Sequence, residues 1–357
     1  MRRGVEAEKA GNFAVARTEY EKALDLAPQR VDAMANLGAV FLRTGQPDQA
    51  AARFRQALAL RPEMPQLGFF LGLALYEAGR FDEAHQALVA FLKRVPGDAR
   101  GLHLNGLCLL KLDRLDEGIR LLEESLAKAP DNRAAKTTLA TALVSVGELS
   151  RAEELVSGSE GPEVQLVRGM VLNAKGRYRE AETALLAARQ ANPRLPSLNN
   201  QLGYTLMLLG DYPGAIRAFE AELAISPKDF NAGANLGWIL VKDREFDRAE
   251  ALLAGALKAR PSNAGVLYLL GQVWSSKGET ARAVEALERV VAQKPSFRAA
   301  HVLLARGYAK LGRAADAGRV QAAIRKLTDE EQARNLGSHE SYADRPTAPD
   351  FTEGKKP

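Results

Sequence analysis

The sequence predicts an all-α protein, a right-handed solenoid of about ten helix-turn-helix repeats. Prolines recur at steps of 34 residues in two groups, Pro28, Pro62, Pro96, Pro130 and Pro193, Pro227, Pro261, Pro295. A small residue stands 24 positions before each of these prolines, and another stands 12 positions before it. Apolar residues around these positions recur at i and i+4, which is the spacing of a helix, and strand patterns are absent.

The first helix of each repeat is predicted around a glycine at a fixed position. Eight repeats carry it, as Gly4, Gly38, Gly72, Gly106, Gly169, Gly203, Gly237 and Gly271. Glycine inside a helix costs about 1 kcal/mol relative to alanine. Its recurrence therefore predicts a compensating contact, and we expect the two helices of each repeat to approach closely where the side chain is missing.

A turn and a second helix follow in each repeat. The turn carries a glycine that suits a helix C-terminus needing a left-handed residue, at Gly45, Gly79, Gly147, Gly176, Gly210, Gly278 and Gly312. The second helix pairs a small residue with a large one four positions on, as in Ala215 and Phe219. The proline then ends this helix, because it cannot continue the hydrogen-bond ladder.

Together these positions resemble the tetratricopeptide repeat. Between residues 200 and 227 the motif is carried by Leu202, Gly203, Leu206, Gly210, Tyr212, Ala215, Phe219 and Pro227. The resemblance implies ten repeats, at residues 1–30, 31–64, 65–98, 99–132, 133–161, 162–195, 196–229, 230–263, 264–297 and 298–327. It is specific for the fold and much less so for the function, since one fold hosts many functions.

Two repeats depart from the pattern and divide the chain. Met1 falls at the fifth position of its repeat, so the first helix lacks its opening turn, and either Met1 begins a frayed cap or the natural chain continues upstream. The fifth repeat is short, its second helix is expected to stop near Val156, and residues 157–162 are rich in helix breakers. This predicts either a tolerated deletion with a local kink or a flexible joint. The joint would separate repeats one to five, residues 1–161, from repeats six to ten, residues 162–327.

The C-terminal residues do not follow the repeat. Thr328 and Glu331 have the spacing of a capping box, which predicts a short capping helix over residues 328–337. Such an element is expected where a solenoid ends, because the last repeat needs a cover. Residues 338–357 are polar and contain prolines, and we expect them to be disordered.

No residues suggest catalysis, a metal site or a cofactor. The four histidines, His85, His103, His301 and His339, have no second histidine or cysteine at helical ligand spacing. Cys108 lies within a helical pattern, where a buried, unreactive thiol is the expectation. A Gly-rich phosphate loop needs a preceding strand, and no strand is predicted. We therefore expect that the chain is not an enzyme.

The resemblance implies instead that the first helices line a concave groove that binds a protein or peptide. Aromatic rings there would bury area at a low entropic cost, and amides could pair with a peptide backbone. The candidate groove residues are Asn36, Phe69, Phe70, Leu73, Tyr76, His103, Leu107, Leu166, Met170, Asn200, Tyr204, Asn235, Trp238, Tyr268 and Gln272. The paired basic residues with which some family members bind a C-terminal carboxylate are missing here, since those positions hold Phe70, Gly265 and Leu269.

Two alternatives compete with the groove. Phe69 and Phe70 could pack against the next repeat, and Phe41 and Trp274 occupy a position of the motif that serves packing. Basic residues that follow the turn glycine, such as Arg80, Arg177 and Arg313, could form an edge for acidic proteins, anionic lipid or nucleic acid. The density of basic residues is low for a nucleic-acid reader, which argues against nucleic acid.

The predicted function is a non-catalytic scaffold or adaptor that binds a protein segment. The alternative is a targeting or regulatory subunit of an enzyme, or of a cell-envelope assembly or secretion complex, whose catalytic or anchoring part lies elsewhere. No run of 18 apolar residues predicts a membrane span, and the N-terminus lacks the apolar core of a signal peptide. The expected compartment is the cytoplasm, with the periplasm open if the natural chain has a longer N-terminus.

Overall fold

The computed structural model describes residues 1–336, which form twenty α-helices and no strand. The helices pair into hairpins in chain order, so that each odd-numbered helix is the first of a repeat and each even-numbered helix is the second. Contacts divide the chain into two units, residues 1–160 and the residues from 161 onward. The prediction of an all-α solenoid of helical repeats is confirmed.

The first unit contains five hairpins. Each second helix packs against its own first helix, and each but the last also packs against the first helix of the next hairpin. The helices are α1 (Arg2–Lys9), α2 (Phe13–Leu26), α3 (Val31–Arg43), α4 (Pro47–Leu60), α5 (Pro65–Glu77), α6 (Phe81–Arg94), α7 (Ala99–Lys111), α8 (Leu115–Lys128), α9 (Arg133–Ser145) and α10 (Leu149–Val156).

The second unit contains five further hairpins with the same packing order. Its helices are α11 (Pro162–Ala174), α12 (Tyr178–Ala191), α13 (Leu198–Leu208), α14 (Tyr212–Ile225), α15 (Phe230–Lys242), α16 (Phe246–Ala259), α17 (Ala264–Lys277), α18 (Thr280–Gln293), α19 (Arg298–Lys310) and α20 (Ala314–Leu336). No helix within residues 1–336 is long and apolar enough to cross a membrane.

The glycine of the first helix marks the close approach of the two helices in each hairpin. A Cβ atom at Gly203 would lie 2.7 Å from the ring of Phe219, and one at Gly72 would lie 2.6 Å from Leu88. The other six motif glycines face a large residue of their second helix at 2.5–2.9 Å in the same way. The predicted close approach of the two helices of each repeat at the motif glycine is therefore confirmed.

The turn glycines adopt the predicted left-handed conformation, with φ of 71° at Gly45 and 82° at Gly210. In two hairpins another residue takes this conformation, since Asp113 has a φ of 60° and Arg244 a φ of 63°. The turn geometry is thus kept even where its sequence signal is absent.

The N-termini of several first helices are capped by an Asp or Asn side chain, as at Asp98 and Asp229. Helix α13 differs. Its N-cap residue, Ser197, has a φ of 63° and makes no side-chain cap. The carboxylate of Glu222 on α14 replaces it, accepting hydrogen bonds from the backbone N–H groups of Ser197 at 3.1 Å and Asn200 at 3.3 Å.

The predicted capping helix is wrong as a separate element. Helix α20 runs without interruption from Ala314 to Leu336, so Thr328 lies inside it and cannot be an N-cap. The Thr328 hydroxyl donates to the carbonyl of Ile324 at 2.9 Å, a bond typical of threonine inside a helix. No glycine or proline interrupts residues 319–336, so nothing breaks the helix before the capping-box residues. The predicted disordered tail, residues 338–357, lies outside the described residues.

The short fifth repeat ends in an eight-residue helix, since α10 stops at Val156. Residues 157–161 follow without helix or strand, and Gly158 and Gly161 both have positive φ. Val156 and Val164 are buried on either side of this segment, whereas the residues between them are exposed or half-buried. The segment therefore has no buried anchor of its own, and its role as a joint stays a prediction.

Candidate functional site

The first helices form the inner side of the stack in the second unit. Each first helix there contacts the next one, α11 with α13, α13 with α15, α15 with α17 and α17 with α19. The second helices within residues 1–336 show no comparable contact with one another. Because the first helices approach one another more closely, their side is the inner one. We call the surface of α11, α13, α15, α17 and α19 the inner face.

Tyr204 and Trp238 occupy equivalent positions of neighbouring first helices on the inner face. Tyr204 is 37% exposed, and burial of the rest of its ring raises the pKa of its hydroxyl. Trp238 is half-buried, and its ring lies 6.1 Å from that of Tyr212. Lys242 Nζ lies 4.6 Å from the centroid of each of these two rings and donates to the Tyr212 hydroxyl at 3.0 Å.

The candidates of repeats six and nine are all half-buried. Gln272 Nε2 donates to the Tyr268 hydroxyl at 3.1 Å, and the Tyr268 ring lies 4.7 Å from that of Phe297. Leu166 and Met170 lie on α11. These side chains add a polar pair and apolar area to the inner face.

Two predicted amides offer little surface. Asn200 is 7% exposed and Asn235 is 8% exposed, so both lie mostly beneath their neighbours. The Asn200 Oδ1 atom is buried and has no hydrogen-bond partner within residues 1–336. A partner at the inner face would therefore meet Tyr204 and Trp238 before it met these amides.

The aromatic candidates of the first unit pack against second helices. The alternative interpretation named the next repeat, but the ring contacts are with the second helices of the preceding hairpin and of their own hairpin. The Phe70 ring stacks on Phe54 of the preceding hairpin with centroids 5.5 Å apart, although Phe70 stays 39% exposed. The Phe69 ring lies 5.7 Å from Phe91 and 5.6 Å from Phe70, and the Arg100 guanidinium lies 5.0 Å from its centroid. These rings serve hairpin packing.

The remaining candidates of the first unit are also half-buried. The Tyr76 ring lies 5.5 Å from that of Phe81. Burial lowers the pKa of His103, whose Nε2 lies 3.3 Å from the Thr138 hydroxyl. The other three, half-buried on first helices, are Asn36, Leu73 and Leu107.

Phe41 and Trp274 occupy the packing position of the motif, and the structure shows them in that role. Phe41 is buried in the core of the first unit. Trp274 packs half-buried between two second helices: its indole N–H donates to Glu250 at 2.8 Å, and the Arg282 guanidinium lies 4.3 Å from its ring. Both residues stabilise the stack of hairpins.

The basic edge is matched by carboxylates. Arg80 pairs with Glu83 at 2.7 Å, and Arg313 pairs with Asp316 at 2.6 Å. Arg177 makes the equivalent pair, in which its guanidinium lowers the pKa of the Glu180 carboxyl. These ion pairs are exposed and contribute little to stability. They do neutralise the edge, so these arginines offer a partner little net charge.

No chemically reactive site stands out in the described part of the chain. Residues 1–336 contain no group of three or more His, Cys, Asp or Glu side chains that could hold a metal ion. Cys108 is fully buried, and burial raises the pKa of its thiol to about 12. His85 Nδ1 lies 2.7 Å from Asn105 Oδ1, a contact between neighbouring hairpins.

Sequence reasoning missed three residues of the second unit. Glu222 occupies a repeat position that is alanine in the repeats before and after it, Ala188 and Ala256. An acidic residue at a position otherwise held by small residues was the signal in the sequence that could have identified it. Arg306 lies 34 residues after Gln272, at the repeat position that Tyr204 and Trp238 occupy in repeats seven and eight. Lys242 lies one turn after Trp238 on the same face, which periodicity could also have shown.

The tetratricopeptide repeat matches this chain over most of its length. One repeat profile matches residues 41–104 and 109–159, and another matches residues 1–65, 166–230, 235–295 and 275–331. A tetratricopeptide repeat protein from Parabacteroides merdae superposes with a TM-score of 0.57 at 16% identity, covering 68% of this chain and 98% of that one. That likeness shows the fold alone.

Two curated relatives extend the comparison. The BBSome complex member BBS4 homolog of Drosophila melanogaster is 24% identical over 301 residues, which cover 78% of this chain and 61% of that protein. The chain thus spans about three fifths of this relative. The type IV pilus assembly protein PilF of Pseudomonas aeruginosa is 27% identical over 216 residues, which cover 59% of this chain and 80% of PilF.

Proposed function

Because the chain belongs to the tetratricopeptide repeat family, we propose that it is a non-catalytic scaffold that holds an extended protein segment along the inner face. The observation that carries the proposal is the pair of partly exposed rings, Tyr204 and Trp238, one repeat apart on α13 and α15. The two relatives named above are a complex member and an assembly protein, which supports a role in protein assembly.

The chemistry of the two rings suits a protein ligand. A partly exposed ring held by its neighbours is already ordered, so a partner buries it at a low entropic cost. Anchors of this kind dominate many interfaces, and truncating one typically costs about 2 kcal/mol or more of binding free energy. The matched charges of the basic edge favour the inner face over that edge as the binding surface.

The test is capture of partners from native lysate after chemical crosslinking, comparing the wild-type chain with Tyr204→Ala/Trp238→Ala. We expect the double variant to lose specific partners while keeping its helical circular dichroism. Tyr204→Ala alone should weaken capture with less effect on packing, because Trp238 also contacts the core of the second unit.

The matched control is Leu186→Ala/Ile225→Ala. Both residues are 39% exposed and lie on second helices, α12 and α14, so the control removes two partly exposed apolar side chains away from the inner face. It should retain every partner. Equal capture by the wild type and by the inner-face variant would refute the inner face as the working surface.

A second candidate function is a subunit that targets or assembles a larger complex, whose catalytic or anchoring part lies in another protein. It is favoured by the similarity to PilF, which is a type IV pilus assembly protein. Native mass spectrometry of the protein purified from its source separates the two functions. A permanent complex of fixed stoichiometry supports the subunit, and a free chain that binds added segments supports the scaffold.

A further inference from the structure

The first helices of repeats seven to ten carry no acidic residue. Between residues 198 and 310, every Asp and Glu lies on a second helix or in a turn, and α13, α15, α17 and α19 contain none. Three of these helices, α15, α17 and α19, carry basic residues, among them Lys242, Arg306 and Lys310. In this part of the chain acidic side chains are therefore confined to the second helices and the turns.

Three of these basic side chains are exposed and have no carboxylate partner within residues 1–336. Lys242 lies against the two rings and donates to the hydroxyl described above. Arg306 and Lys310 lie one turn apart on α19, both exposed, and make no ion pair within residues 1–336. By contrast, Lys277 on α17 is paired with Asp247 and Glu250, each at 2.7 Å.

The repeat places two of these cations beside the proposed binding surface. Arg306 occupies the position that Tyr204, Trp238 and Gln272 hold in the three preceding repeats. Lys310 is one turn beyond Arg306, as Lys242 is one turn beyond Trp238. The inner face thus presents rings toward repeats seven and eight and uncompensated positive charge toward repeats eight and ten.

We propose that the inner face of repeats seven to ten binds an extended protein segment that carries several Asp or Glu residues, a partner class that rests on the proposed scaffold function. The carboxylates of such a segment would meet Lys242, Arg306 and Lys310. No acidic side chain of the first helices opposes them. Like charges across an interface are costly, so this arrangement also discriminates against basic segments.

The same observations argue against nucleic acid. Binding to a duplex typically involves about six to ten phosphate contacts. The first helices of these four repeats supply three cations that have no carboxylate partner within residues 1–336, and the arginines of the edge already pair with carboxylates. A protein segment with a few carboxylates matches this charge more closely.

The experiment selects binders from a displayed library of random twelve-residue peptides, using the full-length chain as bait. We expect Asp and Glu to be enriched at least twofold over the unselected library. The variant Arg306→Glu/Lys310→Glu should lose this enrichment and bind the selected acidic peptides at least tenfold more weakly. The matched control, Arg217→Glu/Lys258→Glu, makes the same charge change at exposed positions of second helices and should keep the enrichment.

Each remaining outcome has one meaning. Peptides that need Tyr204 and Trp238 but show no acidic enrichment would overturn this inference and leave the scaffold function standing. Equal loss in both charge variants would overturn it too, because the effect would then be long-range. A labelled single-stranded oligonucleotide that binds more tightly than the peptides through Arg306 and Lys310 would reassign the face to nucleic acid. If the wild type selects no peptide, the scaffold function fails with the inference.

Discussion

Replacing Gly203 by alanine tests whether close helix approach explains the motif glycine. The new Cβ atom would lie 2.7, 2.8 and 2.9 Å from three carbons of the Phe219 ring, closer than real contacts allow. Phe219 is fully buried, so its ring has no free space into which to move. Overpacking of this kind costs about 1–3 kcal/mol. Alanine also improves helix propensity by about 1 kcal/mol, so the net loss should be about 1 kcal/mol.

Gly255 provides the matched control. It lies inside helix α16, is exposed, and has no atom within 4 Å of the position that a Cβ would take. Gly255→Ala should therefore stabilise helix α16 by the full difference in helix propensity between glycine and alanine, about 1 kcal/mol, without a steric clash. The two variants are chemically identical, so the difference between them, about 1–3 kcal/mol, isolates the cost of the contact with Phe219.

The assay is hydrogen exchange followed by mass spectrometry on peptides from α13 and α16. Local exchange is needed because long repeat arrays do not unfold in one cooperative step. Gly203→Ala should speed exchange in α13, by about tenfold for each 1.4 kcal/mol lost, while Gly255→Ala should slow exchange in α16. Slower exchange in both variants would refute the close-approach explanation and leave propensity as the only effect.

The fifth repeat suggests a rescue for the same contact. There Ala140 replaces the motif glycine, and the smaller Val156 stands 16 residues later, where Phe219 stands relative to Gly203; both are fully or almost fully buried. Gly203→Ala/Phe219→Val copies this pair. The double variant should lose less stability than the sum of its single variants, by about 1 kcal/mol or more, because the smaller side chain removes the clash. Strict additivity would show that the two positions do not interact.

Three further predictions follow from the described contacts. Burial raises the pKa of Glu222, so the folded chain binds the carboxyl proton more tightly than the unfolded chain does. The contribution of Glu222 to the free energy of unfolding is therefore greatest below the unfolded pKa of about 4.3, and it declines as pH rises through the folded pKa. Melting curves against pH should show this decline in the wild type and lack it in Glu222→Gln. The Cys108 thiol should resist iodoacetamide at pH 8 until the chain is unfolded, and rapid native labelling would contradict its burial. Within residues 1–336, the glutamyl protease Glu-C should cut first after Glu160 if residues 157–161 form a joint, and Glu160→Gln should remove that cut. First cuts within helices would count against the joint.

The repeating part of the fold could be predicted because each signal has one local cause. A motif glycine fits only where a second helix approaches, as Gly72 and Leu88 show, and a turn glycine fits a left-handed turn. Both signals recur with a fixed spacing, so one repeat confirms the next. Where a signal was absent, at Arg244 for example, the spacing of the flanking helices still located the turn.

The parts that could not be predicted depend on contacts between elements. The spacing of Thr328 and Glu331 fits a capping box equally well inside a helix, and only the continuity of α20 shows that no helix begins there. Phe70 lies at a groove position by phase, yet its ring stacks on Phe54 of the preceding hairpin. From the sequence, Glu222 resembles an ordinary surface acid. Its role becomes clear only from the fold, which places it against the N-terminus of α13, where no N-cap side chain is present.

In repeats seven to ten, the confinement of acidic residues to second helices and turns explains how an array of similar hairpins can still offer one distinct surface. On the second helices, acids pair with basic residues of the next repeat, as Glu123 does with Arg151 and Glu220 with Arg248. These ion pairs link one hairpin to the next, so the paired side chains offer a binding partner little net charge. Arg306 on a first helix has no such neighbour within residues 1–336. A carboxylate that pairs with it must come from outside the described chain, and for that reason we locate recognition on the inner face.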